Sequence, residues 1–138
     1  MSTEDNKALI QRIWEVWNQG NLDALDKFIF DAANYIEDGQ AVDFENWKRE
    51  RASFRAAFPD WHETINDMIA EGDKVVVRLT GHGTHKGELF GSIPPTGKQV
   101  TITGIMSFRI ADGKIVEDWE NWDMLGILQQ VGVVPSMG

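Results

Sequence analysis

The chain has 138 residues, of which 42% are hydrophobic and 25% charged, the make-up of one globular domain able to bury a core of its own. A formal charge of −9 argues against a nucleic-acid partner, whose phosphates require a basic stripe, and no apolar run approaches the roughly 20 residues of a membrane span. With no cysteine there is no disulfide framework, thiolate nucleophile or cysteine-ligated metal; the acidic, polar start MSTEDNKALIQR is unlike a signal peptide, so a cytoplasmic location is expected.

Ser2 or Thr3 can cap a helix beginning near Glu4, with Glu4 and Asp5 favourable in its first turn. Leu9, Ile10, Ile13, Trp14 and Trp17 recur at three- and four-residue steps, the pattern of an amphipathic helix, and Gly20 is placed for a left-handed cap. Leu22, Leu25, Phe28 and Ile29 predict a second short helix over 22–30, and 31–38 contains a brief extended piece around Tyr35-Ile36. Asp43 caps a third helix, 44–58, whose apolar face of Phe44, Trp47, Phe54, Ala57 and Phe58 is interrupted at Glu50 and Arg51.

From Pro59 onward the period changes to two. Strands are expected over 61–70, 74–83, 99–110 and 114–122, with turns at Glu71-Gly72-Asp73 and Ala111-Asp112-Gly113. Asp123 caps a last short helix, 124–131, and the tail 133–138 is expected to be loose. Helices first and antiparallel strands after spell α+β: a curved antiparallel sheet of about four to six strands wrapping the helices, with a pocket in the resulting cone. The whole chain, 1–138, reads as one domain.

Between the second and third strands lies a long loop, 83–97, GTHKGELFGSIPPTG, too rich in Gly and Pro for a strand. Its apolar tip Leu89-Phe90, its rigid turn Pro94-Pro95-Thr96-Gly97 and His85 at its base suit a flap over a cavity, with Leu89, Phe90 and Ile93 as the inner surface. His85 either hydrogen-bonds the substrate or latches the loop by bonding backbone. His82 shares strand parity with Arg78 and Thr80, so the three line one face, while His62 reads as a surface residue. Three isolated histidines without paired spacing do not make a metal site, and no dinucleotide or phosphate loop is present, so no cofactor is expected.

The last hairpin carries the most chemistry. If Ala111-Asp112-Gly113 is a three-residue loop, Ile110 faces Lys114, Phe108 faces Val116 and Met106 faces Asp118, so Met106, Phe108, Asp118 and Glu120 share one side. Two carboxylates among apolar neighbours form a credible acid/base site, because like charges held close raise one pKa. A two-residue turn would send both to solvent. Trp119 and Trp122 bracket Glu120 on opposite faces, so one walls the pocket while the other packs elsewhere. Six Trp and seven Phe supply both a core and walls for a flat ligand.

Four stretches in order, WNQGNLDALDKFI, FRAAFPDWHETINDMIAEGDKVVVR, GTHKGELFGSIPPTGKQV and FRIADGKIVEDWENWDMLGILQQVG, make the chain resemble the SnoaL-like polyketide cyclase family, with its nuclear-transport-factor-two-like cone. The resemblance covers roughly residues 5–132. It implies a cofactor-free enzyme that removes a proton alpha to a carbonyl of an apolar, oxygenated ring compound and closes a ring by intramolecular aldol addition. It also implies a homodimer through the sheet face. Glu120 falls where these cyclases carry their acid/base aspartate and Asp118 where a histidine is common; Met106 falls where some place a polar residue. Trp17 falls where the family places an aromatic that touches ligand, and Glu50 falls near a substrate-touching position, with Arg51 as good a candidate. Catalysis is therefore expected at Glu120 and Asp118, and ligand contact at Trp17, Glu50, His82, His85, Phe90, Met106, Phe108 and Trp119. A non-catalytic module for small hydrophobic ligands would keep the greasy pocket without a raised carboxylate pKa. A dimeric interaction protein using the sheet face would have a filled cone.

Overall fold

The computed structural model describes residues 2–37 and 39–135. Helix α1, Thr3–Asn18, opens with a reciprocal cap: the Asp5 amide donates to Ser2 Oγ and the Ser2 amide donates to the Asp5 carboxylate. It buries Ile10, Ile13, Trp14 and Trp17. A five-residue 3₁₀ turn, Asp23–Lys27, replaces the helix expected over 22–30. Leu22, Leu25 and Phe28 lie at strict three-residue steps, the period of a 3₁₀ helix, and the β-branched Ile29 already begins a strand. Helix α2, Phe44–Ala57, is capped by Asp43, whose carboxylate accepts the Asn46 amide at 2.8 Å. Helix α3, Met124–Gln130, is capped by Asp123.

The strands are β1 Ile29–Glu37, β2 Gln40–Val42, β3 His62–Glu71, β4 Lys74–Thr84, β5 Gln99–Ala111 and β6 Lys114–Trp122. They form one sheet in the order β2-β1-β6-β5-β4-β3. Neighbours are antiparallel except β1 and β6, which run parallel, so the sheet expected to be antiparallel is mixed. No hairpin ties those two strands, and the long stretch of chain between them leaves their relative direction to tertiary packing. β1 also runs the full nine residues Ile29–Glu37 rather than a brief piece. Its centre, Asp31-Ala32-Ala33-Asn34, has poor strand propensity, and the pairing with β6 shifts register between Ile29 and Asn34. The tail expected to be loose lies, beyond Pro135, outside the described residues.

Strands β4 and β5 alternate cleanly, with Val75, Val77 and Leu79, and Val100, Ile102, Met106, Phe108 and Ile110, buried on the inner face against the helices. The final hairpin reaches the expected facing by a different route. Its turn has two residues, Asp112 and Gly113, with φ of 51° and 73°, and Ala111 pairs Lys114. Left alone, that turn would put Glu117 and Trp119 inside. A bulge intervenes: Ile110 pairs Ile115 and Arg109 pairs Glu117, so Val116 is the extra residue. Beyond it Phe108 faces Asp118 and Met106 faces Glu120, one pairing further along than the three-residue loop implied. Both carboxylates point inward.

Candidate active site

The inner face of the sheet, the three helices and the flap enclose a cavity of about 420 Å³. Such a volume is in the range of small-molecule sites and rules out a filled cone. Most of the wall is apolar, including Trp17, Met106 and Phe108. Four charged side chains enter it from deeper positions: Arg51 from α2, Glu63 from β3, and Asp118 and Glu120 from β6.

Glu120 is 2% exposed and fully engaged. Arg51 Nη2 donates to Oε1 at 2.5 Å, Trp47 Nε1 to Oε2 at 2.9 Å and Trp122 Nε1 to Oε1 at 3.3 Å. Burial works to raise its pKa, but Arg51, a hydrogen bond with Asp118 and the Trp47 N–H outweigh it and hold the carboxyl below its ordinary value. The expected raised pKa at Glu120 is thus reversed, because a guanidinium from a distant helix supplies the counter-charge. A hydrogen bond between two carboxyl groups requires a shared proton, so Asp118 and Glu120 titrate as one unit beside Arg51.

A second carboxylate, which the sequence reading did not select, occupies the other end of the inner face. Glu63 is 6% exposed; Trp14 Nε1 donates to Oε1 and Trp61 Nε1 to Oε2, each at 2.9 Å. Its amide donates to Asn18 Oδ1 and its carbonyl accepts from Asn18 Nδ2, which pins β3 to the end of α1. Burial pushes its pKa up, and the indole N–H groups of Trp61, Trp14 and Trp17 together with Arg51 only partly oppose this. The signal was available: Glu63 shares strand parity with Trp61 and Ile65, so an inward tryptophan implied an inward glutamate.

Both glutamates are built in the same way. Each lies two residues from a tryptophan, Trp61 just before β3 for Glu63 and Trp122 on β6 for Glu120, and each receives a further indole from a helix. The Trp61 and Trp122 indoles each lie flat on a glycine of the next strand. A Cβ at Gly81 would lie 2.4 Å from Trp61, and one at Gly104 would lie 2.5 Å from Trp122. Only glycine allows that approach.

The flap closes one side. Leu89 is buried, pairs with Ile93 and lines the cavity beside Phe90, a residue with φ of 52° that is about half exposed. His85, expected at the pocket, is absent from the cavity wall. It is buried, stacked on Phe58, and its Nδ1 accepts the Thr96 amide and lies 2.9 Å from Thr96 Oγ1. It latches the two ends of the loop. Two other expected contacts are corrected. His82 stands on the outer face against His62, as its parity with Arg78 dictates, and Trp119 is exposed on the outer face, where its Nε1 donates to Glu117. Trp122, not Trp119, walls the cavity. Glu50 is exposed and reaches only the rim, whereas Arg51, the next residue, turns in to Glu120.

Three comparisons place this geometry among known proteins. The family described as SnoaL-like polyketide cyclase matches residues 7–131. Aklanonic acid methyl ester cyclase DnrD of Streptomyces peucetius is 31% identical over 141 residues, covering 96% of this chain and 92% of that protein. Among solved structures, AclR from Streptomyces galilaeus, a proposed hydroxylase, superposes with a TM-score of 0.91 at 29% identity, covering 97% of this chain and all of that one. IdmH from Streptomyces antibioticus, a proposed polyketide cyclase, gives a TM-score of 0.82 at 31% identity, covering 92% of this chain and 98% of its own.

Proposed function

This chain belongs to the SnoaL-like polyketide cyclase family, and on that premise we propose that it is a cofactor-independent enzyme closing a ring on an apolar, oxygenated ring compound by intramolecular aldol addition. The observation that carries this is the Arg51–Glu120 contact of 2.5 Å, with Asp118 bonded behind it, in the wall of an apolar cavity of about 420 Å³. Glu120 takes a proton alpha to a carbonyl. A guanidinium offers five N–H groups, so Arg51 can hold Glu120 and stabilise the developing enolate oxygen together. As Arg51 commits to that oxygen, Glu120 loses counter-charge and gains basicity. The enolate carbon attacks a second carbonyl of the same molecule, a C–C bond forms, and the new alkoxide takes a proton from the Asp118–Glu120 pair, restoring the single shared proton.

Three carboxyl groups and one guanidinium turn toward the cavity, which favours a neutral ester over a free carboxylic acid. The related DnrD acts, by its name, on such an ester. Aklanonic acid methyl ester is therefore the probe substrate, with ring closure followed by chromatography. Glu120→Gln should lower kcat by about 10²–10⁴-fold, the usual share of general acid–base catalysis, while leaving the fold intact. A second reading, a non-catalytic binding module, is favoured by the lowered pKa of Glu120, which an uncoupled base would not show. Binding of the ester by the wild-type protein without turnover would select it.

The proposal includes a homodimer through the outer sheet face. Ile69, Val76, Ile105 and Trp119 are exposed there, and Ile69, Val76, Ser107 and Trp119 are successive cross-strand partners in one row over four strands.

A further inference from the structure

We propose that Glu63 is a second polar subsite of the cavity, a carboxyl group that donates its O–H to an acceptor oxygen, such as a ring carbonyl, at the end of the ligand away from Glu120. This rests on reading the cavity as a ligand site, and does not depend on the ring-closing step.

Three observations support it. First, position: Glu63 lines the cavity from β3, three strand spacings from β6, or about 14 Å along the sheet. The two glutamates therefore address different parts of a polycyclic ligand. Second, valence: both Glu63 oxygens already accept an indole N–H, and the backbone amide and carbonyl are satisfied by Asn18. In its protonated form the group also offers an O–H, and among the described residues no side chain is bonded so as to accept it. A buried O–H with no partner is costly, so a ligand acceptor completes the site. Third, charge: the nearby cations are Arg51 and Arg55, both on α2. Arg51 is bonded to Glu120, and Arg55 is bonded to the Trp17 carbonyl with its guanidinium over the Trp17 ring. Helix α1 presents indoles and the uncharged Asn18, and β4 presents Gly81, which has no side chain. Burial accordingly keeps Glu63 protonated to higher pH than an ordinary glutamate.

Glu120 provides the internal contrast. It has the same two-indole holder, but Arg51 is bonded to it directly, so one end of the cavity presents an anion–cation pair and the other a neutral donor. The ligand this selects carries an oxygen acceptor at both ends of a flat apolar body.

The test is infrared difference spectroscopy of wild type against Glu63→Gln at pH 7, with 9,10-anthraquinone and anthracene as probes of equal shape. Beside the stretch of the Asp118–Glu120 pair, which both proteins share, wild type should show a second protonated-carboxyl stretch that is lost in Glu63→Gln and shifts with anthraquinone but not anthracene. By titration, Glu63→Leu should bind anthraquinone about tenfold more weakly, the order expected for losing one buried hydrogen bond, with anthracene changed less than about twofold. Trp61→Phe removes one N–H that favours the charged form, so it should keep the second stretch to higher pH; it serves if the Glu63 variants do not fold. No second protonated stretch at pH 7, a second stretch indifferent to anthraquinone, or equal losses for both probes would overturn the subsite. If neither probe binds wild type, the cavity does not take flat ring compounds and the subsite falls with it. Failure of aklanonic acid methyl ester to cyclise would remove only the proposed reaction.

Discussion

Arg51 decides the character of the site more than either carboxylate does. Without it, Glu120 and Asp118 would be two buried acids competing for protons; with it, the Glu120 carboxyl is held below its ordinary pKa. Replacing Arg51 by Met leaves a buried carboxylate without its cation, which costs about 3–5 kcal/mol of stability at neutral pH. The pH dependence follows from the direction of the shift. The folded pKa of Glu120 is lowered, so its contribution is present above the unfolded value of about 4.3 and is lost as pH falls through the folded value. Denaturant unfolding of wild type and Arg51→Met should show a gap that narrows from pH 7 toward pH 3; an unchanged gap would mean that Arg51 matters for packing alone. Glu63 runs the other way: its folded pKa is raised, so its contribution is present below about 4.3 and is lost as pH rises through the folded value.

At the level of elements, the β5–β6 hairpin shows how one residue sets the face of a strand. Its two-residue turn and the bulge at Val116 each invert the facing, and together they restore it. Deleting Val116 would leave Glu117 opposite Arg109 and Asp118 opposite Phe108, in a regular hairpin with the same inward side chains. That deletion should preserve the fold, with stability changed by about 1–2 kcal/mol, the scale of a local backbone adjustment. An alanine inserted between Asp118 and Trp119 would instead turn Glu120 to the outer face, away from Arg51. That variant should lose the near-ultraviolet circular dichroism of the buried indoles and all ring closure; retention of both would disprove the register argument. Arg51 and Arg55 lie four residues apart on α2, so one helical face carries both the cation bonded to Glu120 and the cation bonded to the Trp17 carbonyl.

For the molecule as a whole, the sheet has two faces with different tasks. The inner face carries Glu63, Asp118 and Glu120 among apolar side chains, and the outer face carries the row from Ile69 to Trp119. If that row is the dimer contact, Ile105→Glu, which places a charge beside it on both protomers, should convert dimer to monomer in sedimentation velocity with the far-ultraviolet circular dichroism unchanged. A wild-type monomer would exclude the dimer outright. No helix among the described residues is long and apolar enough to cross a membrane.

The sequence by itself determined what depends on local spacing. The three- and four-residue steps of α1, the Asp43 and Asp123 caps and the alternation of β4 and β5 are properties of neighbouring residues, and they were legible for that reason. So was the family, since its stretches lie in order along the chain. Tertiary structure alone decided the direction of β1 against β6, the bulge at Val116 and the meeting of Arg51 with Glu120, 69 residues apart. It also decided the opposite directions in which the pKa values of the two glutamates move. Periodicity could place Glu63 and Glu120 on an inner face, but their charge depends on which cation packs against a buried carboxyl. A helix brought Arg51 to Glu120 and left Glu63 to its indoles.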